Sequence, residues 1–310
     1  MNILVTGAGG FFGKHLVSYL NRTEHIVIPV YRSLVTDDKN TLSIDINPNT
    51  DWTEYLKSID IVIHLAAKAH IMNKKERINF DYESINHFST ANLASYVKRS
   101  NVKKFIFVST VKVSGESSEP NISLKTSYIN SNLDPYSQSK LNAENSIKEI
   151  FTHSNTDLII IRPPLIYGSG VKGNFKLLIK LIESRIPIPL NSIKNKRSIV
   201  STYNFIDFIM HCISYDKKIN DTFFVSDGEH ISTPDLIKLI AESLNKKVWL
   251  FNFNKNILSI IAKILKKDDH FRRLSGDLII DIEKNSNLLG WTPKLTTSKS
   301  LKKIFSVELE

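Results

Sequence analysis

The chain has one cysteine, Cys212, in 310 residues. A single thiol excludes an internal disulfide framework and suits a reducing compartment. Long apolar runs are also missing, since none approaches the ~18 residues that span a bilayer. The histidines are scattered and form no Cys/His cluster at ligand spacing, so no metal is expected. No finger motif and no aromatic-basic RNA motif is present, so no nucleic-acid partner is expected. The opening "MNILVTGAGG" enters an apolar strand without a basic leader or cleavage site. A cytoplasmic protein with no stable membrane insertion is the expectation. Acid is scarcer than base, at 31 against 41, for a net charge of +10. Short lysine pairs at 217–218, 246–247 and 266–267 make much of that excess compositional, while the sharper reading is an anionic ligand.

What is present begins with rhythm. The stretches "NILVTG", "HIVIPVY", "TLSIDI", "DIVIHLAA", "KKFIFVST" and "TDLIIIRPP" are short and almost continuously apolar. Strands buried on both faces have this composition. Helix-length segments at 12–21, 80–99 and 136–152 separate them. The alternation predicts an α/β fold, a Rossmann-type doubly wound parallel sheet with right-handed crossovers. After about residue 166 the rhythm changes, with a glycine-rich loop "YGSGVKGN", a helix at "FKLLIKLIES", an extended "IPIPL", a helix at "STYNFIDFIMHCISY", a strand at "DTFFVSD" and a helix at "STPDLIKLIAESL" capped by Ser232 or Thr233. The expected division is a dinucleotide-binding domain over 1–166 with part of 198–228, and a smaller interleaved substrate lobe over 167–197 and 229–310. The segment "NILSIIAKILKK" at 256–267 is amphipathic and basic. It could touch a membrane surface; covering a core or a ligand cleft is the commoner use and the one expected.

"VTGAGGFFGKHL" places Gly7, Gly10 and Gly13 between a strand and a helix. That context makes the pattern a dinucleotide fingerprint: a tight turn, a close approach to pyrophosphate, and close helix–strand packing. The helix start offers free N–H groups to phosphate. An NAD site usually ends its second strand in an acid. Here the strand ends in Tyr31, Arg32 and Ser33, and a guanidinium suits a 2′-phosphate. NADP(H) is therefore expected ahead of NAD(H). Asp45 is placed to accept from the adenine amino group, and Ala66 and Ala67 are small enough for the cofactor to lie against the backbone.

"DPYSQSKLNAE" puts Tyr136 and Lys140 four residues apart, one turn along a helix. Alone the pair is weak. With "VTGAGGFFG", "LSIDI", "VIHLAA", "FVSTVKVSG", "RPPLIYG" and "LLGWTPK" in order, the whole chain resembles the extended short-chain dehydrogenase/reductases, in the nucleotide-sugar epimerase/dehydratase/reductase branch. The resemblance implies that Thr110 and Tyr136 meet one substrate oxygen and that Lys140 holds the nicotinamide ribose and depresses the tyrosine. It sets Phe11, Phe12, Ile46, Leu65, Asn86, Ser109 and Pro163 along the cofactor, with Ser114 where the family has a tyrosine. It assigns Lys68, Asn174, Leu190, Arg197 and Arg273 to a UDP-linked sugar, and leaves Arg272, Arg273 and Asp277 unresolved because "RRLSGD" carries an extra residue. It also implies a homodimer through the helices at 80–99 and 136–152, in which Leu93, Tyr96 and Val97 serve either the partner or the monomer core.

The reaction expected first is NADPH-dependent reduction of the C4 ketone of a UDP-4-keto-6-deoxy-N-acetylhexosamine, as in bacterial surface-polysaccharide synthesis. The alternative is a UDP-hexose or UDP-N-acetylhexosamine 4-epimerase with tightly held NAD. A dehydratase would resemble T-D-E where this chain reads "STVKVS". A non-enzymatic binder commonly lacks the tyrosine or lysine kept here.

Overall fold

A computed structural model describes residues 1–33, 40–68, 80–171 and 173–307. Strands β1 (Asn2–Thr6), β2 (Ile26–Tyr31), β3 (Leu42–Ser43), β4 (Ile61–His64), β5 (Lys104–Val108) and β6 (Asp157–Arg162) lie on the six apolar stretches. With β9 (Asn220–Phe224) they form a seven-stranded sheet of order β3-β2-β1-β4-β5-β6-β9. From β3 to β6 each neighbouring pair is parallel. A second sheet orders β10 (His230–Ile231), β8 (Arg197–Ser201) and β7 (Leu165–Tyr167).

The chain divides into two compact units. One comprises Met1–Val113, Ile129–Pro163 and Ile209–Phe223; the other comprises Ser114–Tyr128, Pro164–Phe208 and Phe224–Glu310. In the first unit a core of Leu4, Val30, Trp52, Val62, Phe105 and Phe107 packs on the helices Ser89–Lys98 and Pro135–Ile150 through Leu93, Val97, Ala143 and Ile147. Leu93 and Val97 are thus monomer core, while Tyr96 is partly buried beneath the Arg99 guanidinium, 4.8 Å from its ring centre. Lys104 is buried at the start of β5 and donates to the carbonyls of Cys212, Ile213 and Tyr215. A cation there meets the negative end of the helix Thr202–Ser214 and ties it to the sheet.

In the second unit Ser232, not Thr233, caps the helix Thr233–Ser243: its Oγ accepts from the Asp235 N–H at 3.2 Å. The "LLGWTPK" segment is packing. Gly290 turns left-handed at φ 71°, and Trp291 donates to Asp207 at 2.8 Å while its ring meets Phe208 edge-on. The basic segment departs from expectation. Its helix, Lys255–Ile264, buries Ala262 and leaves Ile257, Ile260, Ile261 and Ile264 exposed, so among the described residues its apolar stripe covers no core.

Candidate active site

The glycine loop is built by steric necessity. Gly7 has φ +72°, and a Cβ on it would stand 2.7 Å from the Ala66 nitrogen. Only glycine lets the loop after β1 lie against Leu65 and Ala66, which follow β4. A Cβ on Gly13 would stand 2.2 Å from the Gly7 carbonyl, so the third glycine seats the helix on that turn. Gly10 is the N-cap of the helix Phe11–Leu20; no side chain caps this end and its first turn holds no acid. Its N–H groups and positive dipole end are therefore uncommitted by local side chains. β1 lies between β2 and β4, the point where strand order reverses, which is where open α/β sheets bind ligands. A dinucleotide phosphate fits this cradle.

Around it, Phe11 is half-buried with its ring edge-on to His15, and Phe12 is buried. Arg32 and Asp45 are both exposed and lie 3.8 Å apart, so each expected adenosine contact is turned partly toward the other. Ile46 is half-buried against the core. Leu65 and Ala66 are half-buried and Ala67 is exposed.

The helix Pro135–Ile150 starts as its sequence requires. The Asp134 side chain accepts from the Ser137 N–H at 2.7 Å, and Pro135 takes the first helical position. Lys112 Nζ reaches the same Asp134 carboxylate at 3.1 Å. This ion pair links the turn that carries Thr110 to the helix start that carries Tyr136, so the two segments pack together. Thr110 is half-buried, and its Oγ1 accepts from the Lys112 N–H at 3.3 Å. Tyr136 meets Tyr82 edge-on with ring centres 6.1 Å apart.

Lys140 is fully buried. Its Nζ stands 4.0 Å from the centre of the Phe107 ring and, among the described residues, has no hydrogen-bond partner. Burial takes its pKa down to about 7, against the attraction of Glu144. A buried ammonium with unused donors is a site waiting for acceptors, and ribose hydroxyls are acceptors of the right kind. Burial also pushes the Tyr136 phenol above its ordinary value, with the charges of Asp134 and Tyr82 adding to the shift. The expected depression of this phenol by Lys140 is not met, because desolvation moves both groups toward their neutral forms.

Glu144, Arg162 and Ser139, which the sequence reading passed over, tie down residues that it named. The Glu144 carboxylate is buried on the Arg162 guanidinium at 2.6 Å and accepts from Ser109 Oγ at 2.5 Å. Ser109 thus spends its hydroxyl inward. The Pro163 carbonyl accepts from the Val111 N–H at 3.0 Å and pins the turn after Thr110. Asn86 sits in a π-type turn, Glu83–Phe88, that leads into the helix Ser89–Lys98. Its amide accepts from the Lys68 N–H at 2.8 Å and donates to Ser139 Oγ at 3.1 Å. Asn86 therefore fastens the loop after β4 to the helix Pro135–Ile150. Lys68 Nζ lies over the Phe80 ring at 5.8 Å.

His64 joins Thr6 Oγ1 at 2.7 Å to Thr90 Oγ1 at 2.9 Å, beneath the glycine loop. The spacing of Glu144, one turn after Lys140, was a readable signal; that of His64 was not. Burial, then the Lys140 charge, carries the His64 pKa down to about 3 from 6.5. The unfolded chain binds a proton below about 6.5 that the fold refuses until about 3. Stability is expected to fall through that window by about 1.4 kcal/mol per pH unit from this residue. Urea titrations at pH 7, 6 and 5 should show the slope, and His64→Gln should flatten it.

In the second unit Arg197 donates to the Gly276 carbonyl at 2.9 Å, and Arg273 reaches Glu116 at 3.3 Å. Burial lowers the Arg197 pKa, Glu116 opposes that, and Arg273 is close enough to add repulsion. Arg272 instead pairs with Asp268 at the surface, and Asp277 accepts from the Lys196 N–H. Of the three residues in "RRLSGD", Arg273 and Asp277 lie near Arg197 and Arg272 points to Asp268. Leu190 is buried. Asn174 opens the helix Asn174–Glu183 after Gly173, and its side chain lies outside the described structure.

The pattern of the NAD dependent epimerase/dehydratase family matches residues 3–224. A UDP-glucose 4-epimerase of Vibrio cholerae is 38% identical over 97% of this chain and 93% of its own length. The chain belongs to this family. Members differ in chemistry: an Escherichia coli dTDP-4-dehydro-6-deoxyglucose reductase is 24% identical over 97% of this chain and 96% of its own. The structure of a Bacillus cereus UDP-glucuronic acid 4-epimerase with NAD superposes with a TM-score of 0.75 at 22% identity, over 99% of this chain and 98% of that one. That likeness concerns the fold alone. Membership makes this chain an NAD(P)-dependent enzyme of the epimerase/dehydratase kind.

Proposed function

We propose that this family member is a UDP-sugar 4-epimerase, acting on a UDP-hexose or UDP-N-acetylhexosamine with a resident NAD. One observation carries the choice: the 38% identity to the Vibrio cholerae epimerase runs over nearly the whole chain. It reverses the order of the two reactions expected from the sequence. The site supports either, since both need a proton moved at one sugar oxygen.

The bound dinucleotide supplies the hydride acceptor and donor. Tyr136 takes the proton of the C4 hydroxyl and returns it to the same oxygen once the ketone has been reduced from its opposite face, and Thr110 donates a hydrogen bond to that oxygen as charge develops on it. Lys140 binds the ribose hydroxyls of the dinucleotide. Arg197 and Arg273 bind the diphosphate of the sugar nucleotide, where two guanidiniums so close gain a shared anion. A homodimer through the helices of the first unit is the proposed assembly.

Ketone reduction with NADPH stays the second reading. Arg32, exposed where an acid would contact an NAD ribose, favours it. The test is direct. Purified protein receives UDP-glucose or UDP-N-acetylglucosamine without added cofactor, and separately UDP-4-keto-6-deoxy-GlcNAc with NADPH or NADH. Conversion to the C4 epimer is expected. NADPH oxidation without epimer formation would replace this reading with the reductase.

Arg197→Ala is expected to raise KM for the UDP-sugar by about tenfold or more, with a smaller change in kcat, because it removes an ion pair made before and during the reaction. Initial rates across substrate concentration check this.

A further inference from the structure

The helix Lys255–Ile264 is turned inside out. Ile257, Ile260, Ile261 and Ile264 fall at i, i+3, i+4 and i+7 and form one stripe. That stripe faces solvent, with Ile260 57% and Ile264 74% exposed, while small Ala262 on the other side is buried. The extended stretch before it behaves alike. Leu250 bridges to Ile188, and its alternating neighbours Trp249, Phe251 and Phe253 are exposed, Trp249 at 68%. Leu265, just past the helix, is 61% exposed.

The charged residues of this segment are all basic. Between residues 246 and 267 the chain carries Lys246, Lys247, Lys255, Lys263, Lys266 and Lys267 and no acid, and all six lysines are exposed. The next acid, Asp268, is held by Arg272 at 3.1 Å.

We propose that residues 246–267 dock the enzyme on an anionic lipid bilayer, with the isoleucines and aromatics at the acyl boundary and the lysines among the headgroups. Charge decides the occupant. A second copy would set these lysines against its own, whereas anionic headgroups neutralise them. A Trp and Phe cluster beside an isoleucine stripe is what an interfacial segment buries. Among the described residues no helix is long and apolar enough to cross a membrane, so the contact is to one leaflet.

Trp249 supplies the probe, because Trp52 and Trp291 are buried. The full chain is floated with vesicles of phosphatidylcholine alone or mixed equally with phosphatidylglycerol. Flotation and a blue shift of Trp249 emission are expected with the mixed vesicles only, weakening in high salt. Ile260→Asp with Ile264→Asp, and separately Lys266→Glu with Lys267→Glu, should each lower partitioning by about tenfold or more, with melting temperature unchanged. Absence of flotation, equal flotation on neutral vesicles, or indifference to both variants overturns the proposal. So does a dimer in sedimentation that the isoleucine variant converts to monomer, because a second copy then covers this face.

Discussion

Tyr136→Phe is expected to cut turnover by about 10³-fold, equivalent to about 4 kcal/mol in the barrier, while cofactor retention stays unchanged. The variant keeps the ring and its edge contact with Tyr82 and loses only the hydroxyl. That hydroxyl is the group proposed to exchange a proton with the sugar. Thr110 would still offer a hydrogen bond, but without a proton acceptor the oxidation has nowhere to send the C4 hydroxyl proton. Epimer formation followed by chromatography, with bound dinucleotide measured after gel filtration, gives both readouts. A rate within tenfold of the wild type would remove Tyr136 from the chemistry, and with it the reading of this site.

Lys140→Met should abolish activity and stabilise the ligand-free protein. The ammonium is buried against Phe107, and among the described residues its Nζ has no hydrogen-bond partner. Burial lowers its pKa from 10.5 to about 7. A depressed folded pKa means that above about 7 the fold releases a proton the unfolded chain keeps until about 10.5. Stability gained from this group is complete above 10.5 and is lost as pH falls toward 7, at about 1.4 kcal/mol per unit. The wild type should therefore become more stable from pH 7 to 9 through this residue, and the Met variant should lose that slope. At pH 7 the variant should be more stable by about 1–3 kcal/mol, since an isosteric apolar chain replaces a dehydrated cation. It should also fail to retain the dinucleotide. Denaturant midpoints at three pH values, beside cofactor content, test both halves; a less stable variant that still retains dinucleotide would refute the assignment.

The two variants share a lesson about how function is stored here. Lys140 is an unfavourable residue for the ligand-free fold, and in the proposed role it becomes a favourable one once the dinucleotide is bound. Its cost is limited by Glu144, which attracts it from the next turn and is itself fixed by Arg162 and Ser109. Buried charge of this kind persists where binding recovers what folding loses.

Much of this was legible in one dimension. Four of the six apolar stretches became strands β1, β4, β5 and β6, buried almost throughout, because burial on both faces leaves no room for polar alternation, while β2 and β3 lie toward the sheet edge and are partly exposed. The three glycines were readable because their need is local: a left-handed φ at Gly7 and the absence of a Cβ at Gly13. Tyr136 and Lys140 were readable because helical periodicity fixes their common face. The choice between Ser232 and Thr233 as cap was nearly so, differing by one position.

Other features required the coordinates. No spacing joins His64 to Thr6 and Thr90, Asn86 to Lys68 and Ser139, or Arg273 to Arg197, since each pair is distant in sequence and meets only through sheet order or loop packing. The phenol and ammonium moved toward neutrality instead of helping each other because desolvation depends on everything packed around them. The stripe of isoleucines shows the division most plainly. Its amphipathic pattern is fixed by residue order, but which face meets the protein depends on what the rest of the chain presents to it. Here the fold took the alanine side and left the isoleucines outside, because burial is decided by the neighbours a helix finds and not by its own pattern.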